Sequence, residues 1–179
     1  IRYPQFDTAR FLARFHAAFP PFVASNTALL NGATNVLGYI TGDTVIPYLT
    51  ANTCTDGAFG DHVTSFGGRL FDSSSQTSIL DFLQAGLIGS HGTVTEPYSI
   101  EAKFPSPLAA YWYARGFSLG ESYWMSVAHP YNGLFVGDPL CQPFARPPAA
   151  AVTNLTPHLV IGGTQTVDTV ATAAPGGLV

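Results

Sequence analysis

The first pattern along the chain is a set of apolar residues spaced three and four apart between residues 6 and 19. These residues fall on one face of a helix: Phe11, Leu12, Phe15 and Phe19. Asp7 is suited to cap the helix, and the two prolines at 20–21 cannot continue it. The pattern predicts an amphipathic helix over residues 6–19.

Short apolar runs separated by turn residues follow. A buried strand is predicted at residues 35–40, and another strand is predicted at residues 61–66. Residues 45–49 form a third run, but Pro47 cannot donate to a sheet ladder, so we expect an edge segment there.

A second helical pattern begins after a serine-rich stretch. Thr77 or Ser78 is placed to cap it, and Gly86 suits the left-handed position that closes a helix. The core face of this helix has four members: Ile79, Leu80, Phe82 and Leu83. A strand is predicted next, over residues 87–94. A helix between two short strands is typical of a crossover that joins parallel strands.

Two more helices are predicted before the last strand. The first has a cap and a first-turn proline at Ser106 and Pro107, and it ends at Gly116. The second opens with Ser118 and Glu121, which have the spacing of a capping box.

Together with a final strand at 134–136, these elements predict an α/β domain over residues 1–146, with a mostly parallel open sheet flanked by helices. Residues 147–151 are a Pro/Ala linker, and residues 152–179 resemble the first strands of an immunoglobulin-like β-sandwich. Two strands bury no core alone, so either the rest of that domain is missing or the strands add to another chain's sheet. Because the sequence begins at Ile1, within the α/β pattern, we expect a processed product or a partial chain.

Composition narrows the class of protein. Hydrophobic residues make up 46% of the chain and charged residues only 10%, against about 25% charged in a typical soluble domain. A secreted protein with an uncharged polar surface fits this better than a large covered interface does. The net charge is −4 and Lys103 is the sole lysine, so nothing predicts nucleic-acid binding. No apolar run reaches about 18 residues, so we expect no membrane span in this chain.

Four separated motifs stand between residues 57 and 144. They read GAFGDHVTSFGG at 57–68, AGLIGSHGTVTEPY at 85–98, GESYW at 120–124 and GDPLCQPF at 137–144. In order and spacing they resemble an exported bacterial family of uncharacterised function, known by G-A-x-x-x-H-x-x-S-F, G-x-V-x-E-P-Y, an E-A-Y-like helix and a terminal G-D-P-L strand. The resemblance implies export to the periplasm, cell surface or exterior.

The same arrangement is more distantly similar to the C-terminal half of gingipain-type cysteine peptidases and their caspase-like relatives. That resemblance implies a histidine after one strand and a cysteine after the next. Here the first strand ends without histidine, and Asp61-His62 stands where the cysteine is expected. Cys54 lies upstream, in a predicted loop, so the peptidase dyad is not carried over.

The two cysteines, Cys54 and Cys141, are widely separated in sequence. Free buried thiols are one interpretation. The export implied by the resemblance favours a disulfide between them, which would close a long loop.

Candidate chemistry gathers at the predicted strand ends. His62, Ser65 and Glu96 are candidate catalytic residues, and His62, Glu96 and Asp138 are candidate metal ligands, since ligands bind at the carboxyl ends of parallel strands. A structural role for the same side chains is the favoured alternative. His91 receives little weight because the family pattern does not specify it. No phosphate loop or other cofactor motif is present, so we expect no cofactor.

Three functions remain open. The leading one is a non-catalytic exported subunit that contacts other protein chains in a larger surface or periplasmic assembly. The second is a hydrolase or metal-dependent enzyme that uses His62 and Glu96. The third is a binding module whose immunoglobulin-like part holds a polysaccharide or a protein.

Overall fold

A computed structural model describes the following parts of the chain: residues 29–72, 75–96, 100–145, 149–154, 162–164 and 166–172. The chain divides into two compact units, Ile1–Phe144 and Ala145–Val179. The helix predicted over residues 6–19 lies outside the described residues.

The first unit is built on a mixed four-stranded sheet with the order β1-β2-β3-β4. Its strands are β1 (Val36–Thr41), β2 (Cys54–His62), β3 (Gly89–Thr93) and β4 (Gly133–Gly137). The first three strands run parallel, and β4 pairs antiparallel with β3. The architecture is therefore broadly α/β, as the sequence predicts, with a reversed last strand.

Among the described residues, three short helices accompany the sheet: α1 (Ile79–Gln84), α2 (Leu108–Ala114) and α3 (Leu119–Trp124). Helix α1 lies between the parallel strands β2 and β3, so the predicted crossover is confirmed. Ser78 caps this helix and forms a capping box with Asp81, while Gly86 closes it with a φ of 96°. Single 3-10 turns occur at Leu49–Ala51, Glu101–Lys103 and Pro130–Asn132.

The predicted caps of the two later helices have different outcomes. Ser118 and Glu121 form the predicted capping box at the start of α3. For α2 the prediction of a Ser106 cap is wrong, because Pro107 is the N-cap residue and no side chain caps the helix. The backbone N–H of Ser106 instead donates to the Ser126 carbonyl at 2.7 Å, which ties this helix start to the chain after α3.

The strand predicted at 61–66 is misplaced, since β2 spans Cys54–His62 and the chain turns directly afterwards. The prediction that Cys54 lies in a loop is therefore wrong as well. Glycines within β2 interrupt the apolar alternation by which a strand is recognised in a sequence. At Gly60 a Cβ atom would come within 2.4 Å of the Phe82 ring, so the missing side chain is space that helix α1 fills. Residues 45–49 form no strand, and a 3-10 turn begins at Leu49.

Alternate residues along the strands feed two cores, one on each face of the sheet. Ala58 packs with Phe82 of α1, whereas its neighbour Phe59 packs with Tyr113 of α2 and Tyr123 of α3. Helices therefore cover both faces, which explains why β3 is buried along its whole length.

The second unit contains a two-stranded antiparallel sheet, β5 (Ala149–Val152) with β6 (Thr169–Thr172). Residues 149–151, predicted as linker, therefore belong to a strand. Every residue of β5 is exposed. The helices of the described residues are all too short or too polar to cross a membrane.

Candidate functional site

Polar side chains lie on both faces of the sheet at the carboxyl ends of β2 and β3: the Asp61–His91 pair on one face and His62 on the other. Asp61 and His62 are neighbours on β2, so their side chains point to opposite faces. Asp61 stands opposite His91 in the parallel register, on the face covered by α2 and α3. The His62 ring lies 5.7 Å from the Phe82 ring, on the α1 face.

Asp61 and His91 form a buried hydrogen-bonded pair. The His91 Nδ1 atom lies 3.1 Å from the Asp61 Oδ1 atom, and each residue is only 2% exposed. The Tyr123 ring stacks on the imidazole at 6.1 Å, and its hydroxyl donates to the Gly60 carbonyl. A Cβ atom at Gly133 would come within 2.4 Å of His91 Nε2, so β4 covers the other edge of the ring. The pair is thus sealed in the core.

Neither member of this pair is among the residues that the sequence predicts for a site, since His91 receives little weight there and Asp61 has no predicted role. The sequence contains no spacing pattern that indicates this pair, because 30 positions separate its two members. Only the register between β2 and β3 brings them together.

His62 has a partner at each ring nitrogen. Its Nε2 atom lies 2.8 Å from the Asp43 carbonyl oxygen, and its Nδ1 atom lies 3.2 Å from the Thr64 hydroxyl. Because a carbonyl only accepts, Nε2 carries the proton and Nδ1 accepts from Thr64. The residue is fully buried, and a Cβ atom at Gly67 would come within 2.4 Å of Nδ1. Neither nitrogen is left for a metal ion or a substrate proton.

Burial lowers the pKa of His62 below its ordinary value of 6.5. The cost of desolvating an imidazolium outweighs the opposing effects, which include the Asp43 carbonyl and the carboxylates of Asp61 and Asp43. The neutral, Nε2-protonated imidazole is therefore the form that the fold stabilises.

Acidification is expected to destabilise the protein through His62. In the unfolded chain this histidine takes up a proton near pH 6.5, whereas the folded form resists protonation until a lower pH. The contribution of His62 to stability is therefore complete above pH 6.5. As the pH falls below 6.5, the free energy of unfolding decreases by up to about 1.4 kcal/mol for each pH unit, until the lower folded pKa is reached. Urea unfolding between about pH 7.5 and 5.5 measures this slope.

Two variants separate this effect from that of the other histidines. We expect His62→Gln to flatten the dependence of the unfolding free energy on pH, because glutamine does not titrate. The matched change His129→Gln should leave the slope as it is, since that residue is exposed. Equal slopes in wild type and His62→Gln would contradict the assignment.

The other predicted catalytic residues, Ser65 and Glu96, do meet. The Ser65 hydroxyl donates to the Glu96 carboxylate, and this contact is the main reason that the pKa of Glu96 is lowered. Lys103, which sequence analysis noted only as the sole lysine, joins them, with its Nζ atom 3.1 Å from Glu96 Oε2. The lysine side chain is 2% exposed and that of Glu96 is 33% exposed. The buried ammonium thus holds a carboxylate that reaches solvent.

The predicted metal site of His62, Glu96 and Asp138 is not formed. Within the described ranges, no three His, Cys, Asp or Glu side chains are placed to hold a metal ion. Glu96 binds Ser65 and Lys103, while Asp138 is exposed and accepts from the Leu140 backbone N–H at 2.9 Å. His62 ends β2, whereas Glu96 follows β3 and Asp138 follows β4, and each makes its own local contacts.

The predicted disulfide between Cys54 and Cys141 is also absent, because both cysteines are free. Cys54 packs with the core on the α1 face, and its Sγ atom lies 3.7 Å from the Ala85 carbonyl. Cys141 packs with the opposite core, 3.3 Å from the Tyr113 hydroxyl. The sheet lies between the two thiols.

Neither a protein-family model, nor a curated protein, nor a solved structure matches this chain. The function is therefore inferred from the chain's own residues.

Proposed function

We propose that this protein is a non-catalytic exported subunit, structural or interacting, of a larger extracellular or cell-surface assembly. The observation that carries the proposal is the state of the polar groups at the strand ends. His62 uses both ring nitrogens internally, the Asp61–His91 pair is sealed, and Glu96 is held by Lys103. A catalytic base needs an unshared lone pair within reach of its substrate. His62 and the Asp61–His91 pair are buried, and the Glu96 carboxylate, which does reach solvent, is held by Lys103.

Export is part of the proposal and is supported by the four motifs. The proposed ancestry is a gingipain-type or caspase-like half domain that has lost its thiol. In its support, β2 ends in Asp61-His62 and carries its cysteine at its first residue, Cys54. A nucleophile at the start of the strand would lie at the edge of the sheet opposite to the ligand-binding end.

The second unit supports an interacting role. In β5 and β6 two valines, Val152 and Val170, are 50% and 57% exposed, and two strands do not bury a core. We propose that the sheet is the beginning of an immunoglobulin-like domain, or that it pairs with strands of another chain. Either completion would bury these valines.

An enzymatic role is the second candidate, and one observation favours it. Ser65 donates to Glu96, which is the contact expected between a hydroxyl nucleophile and its base. The pKa of Glu96 is lowered, however, mainly by Ser65 and also by Lys103, so the carboxylate is a weak base. The contact therefore suits a structural clamp better than a reacting pair.

Native mass spectrometry of the protein from its own source tests the proposal, together with hydrolysis of ester, amide and glycoside substrates. We expect native mass spectrometry to show a complex heavier than the single chain. We expect the rate of substrate hydrolysis to be the same in the wild type and in the Ser65→Ala/Glu96→Gln variant. A lone monomer whose turnover is lost in that variant would establish the enzyme instead.

The Lys103 clamp yields a stability prediction of its own. Glu96→Gln should destabilise the fold more than Lys103→Met does, because it leaves a buried ammonium without its carboxylate, whereas methionine removes the buried charge and keeps much of the packing. Urea unfolding gives the ranking. Since Lys103 is the only lysine, an amine reagent should also label its side chain faster in Glu96→Gln. Glu101→Gln is the matched control, because Glu101 is an exposed carboxylate in the 3-10 turn that contains Lys103.

A further inference from the structure

The sequence contains two Asn-Gly dipeptides, and the fold surrounds them differently. They are Asn31-Gly32, before β1, and Asn132-Gly133, at the start of β4. Asparagine is among the thermally labile residues. Its side-chain amide is most open to attack by the following backbone nitrogen when that residue is glycine, which has no Cβ atom to obstruct the approach. Because the two sites share this local chemistry, any difference in their reactivity comes from the tertiary structure.

Asn31 and Gly32 form the exposed tip of a tight bend. Gly32 has a φ of +72°, and nothing lies within 4 Å of the position of its missing Cβ atom. Among the described residues, neither the Asn31 carbonyl nor the Gly32 N–H has a hydrogen-bond partner. The peptide group between the two residues can therefore rotate without breaking a contact.

The two ends of this bend are held by one buried side chain. Asn52 is only 6% exposed. Its Oδ1 atom accepts from the Ala33 N–H at 3.0 Å, and its Nδ2 atom donates to the Leu30 carbonyl at 3.3 Å. The Asn52 amide thus fixes the chain on either side of the Asn31-Gly32 tip and does not contact the tip itself.

At Asn132-Gly133 the dipeptide itself is held. The Asn132 carbonyl accepts from the Val94 N–H at 2.8 Å, and Gly133 pairs with Thr93 of β3. A Cβ atom at Gly133 would lie 2.4 Å from His91 Nε2, so the backbone is closely confined there. Rotating this peptide group towards the Asn132 side chain would therefore break the first contacts between β3 and β4.

We propose that Asn31 is a site of spontaneous deamidation in the folded protein and that Asn132 is protected from it. The Gly32 backbone nitrogen gives up its proton to solvent and attacks Asn31 Cγ, and Nδ2 leaves as ammonia, which forms a cyclic succinimide. Water then adds to either imide carbonyl and opens the ring to aspartate or isoaspartate. Water is consumed and ammonia released, with no oxidant or reductant. This inference does not depend on the proposed function.

Opening to isoaspartate changes the bend. The main chain then runs through Cβ and Cγ of residue 31, which inserts an extra atom between Leu30 and Ala33. The Asn52 amide no longer matches the spacing of its two partners, so we expect the hydrogen bond from the Ala33 N–H to weaken. Each deamidation also adds a negative charge to a chain whose net charge is already −4.

Peptide mapping of the full chain after incubation in mildly alkaline buffer tests the site. The products are recognised by the mass of aspartate in place of asparagine and by an isoaspartate-specific methyltransferase. We expect Asn31 to convert at least about tenfold faster than Asn132, because backbone hydrogen bonding must open first at Asn132. In urea, where neither site is folded, the two rates should be similar. No conversion of Asn31 in the folded chain, equal folded rates, or the same preference in urea would overturn the proposal.

Variants then test the attacking nitrogen. Gly32→Ala should slow the conversion of Asn31, because the added Cβ atom hinders the approach of the nitrogen to Cγ. The control Asn132→Ser removes the other dipeptide and should leave the rate at Asn31 unchanged. An unaltered rate in Gly32→Ala would contradict the succinimide route.

Hydrogen exchange at the Ala33 amide reads the contact with Asn52. We expect this exchange to become faster in the aged wild type and to stay the same in aged Asn31→Ser, which has no side-chain amide to lose. If exchange at Ala33 is unchanged in an aged sample that contains isoaspartate, the inferred loosening of the bend is overturned.

Discussion

Replacing Gly137 by alanine is expected to lower the free energy of unfolding by about 4 kcal/mol or more. Gly137 ends β4 with a φ of +125°, which side-chain-bearing residues rarely adopt. A Cβ atom there would lie 2.2 Å from the Ile88 carbonyl oxygen and 2.4 Å from the Gly89 Cα atom. Both are backbone atoms at the start of β3, so no side-chain rotation relieves the contact, and the pairing of β3 with β4 must shift.

Gly32→Ala is the matched control for that change. Gly32 also has a positive φ, of +72°, but nothing lies within 4 Å of the position of its Cβ atom. Only the backbone penalty of about 1–2 kcal/mol is expected there. Urea unfolding of both variants isolates the steric part, and equal losses of stability would show that the close approach of β4 to β3 is wrong.

Asp61→Ala is expected to cost about 3 kcal/mol or more, because it removes the hydrogen-bond partner of a buried imidazole and leaves a cavity beside it. The His91 imidazole has no other hydrogen-bond partner among the described residues, and the Tyr123 ring and Gly133 confine it. Asp61→Asn keeps an acceptor oxygen for His91 Nδ1, so it should cost clearly less. Denaturant unfolding at neutral pH gives the order of the two variants.

The control lies on the same strand. Asp56→Ala makes the same substitution at an exposed position of β2 and should change stability by no more than about 0.5 kcal/mol. A double-mutant cycle of Asp61→Ala with His91→Ala should give a coupling energy of about 1–3 kcal/mol. Additive effects would mean that the pair contributes only through packing.

Local signals in the sequence were reliable where a short stretch settles the structure. The capping box at Ser118, the cap at Thr77 or Ser78 and the closing glycines Gly86 and Gly116 were predicted, since a cap is a contact between residues two to four apart. The predictions failed where packing against distant segments, and not the local sequence pattern, determines the residue types. In β2 and β3, glycines stand where helices and strands press close, so apolar alternation is missing and β2 was misplaced.

The sequence by itself determined the α/β class, the crossover through α1 and the nearness of reactive side chains to the strand ends. Each of these follows from hydrophobic period and turn chemistry along the chain. Only the tertiary structure decided which of these side chains meet. Strand register joins Asp61 to His91, the sheet separates Cys54 from Cys141, and burial of Lys103 fixes Glu96. Register and burial are set by packing between distant segments, and that information is not present at any one position of the chain.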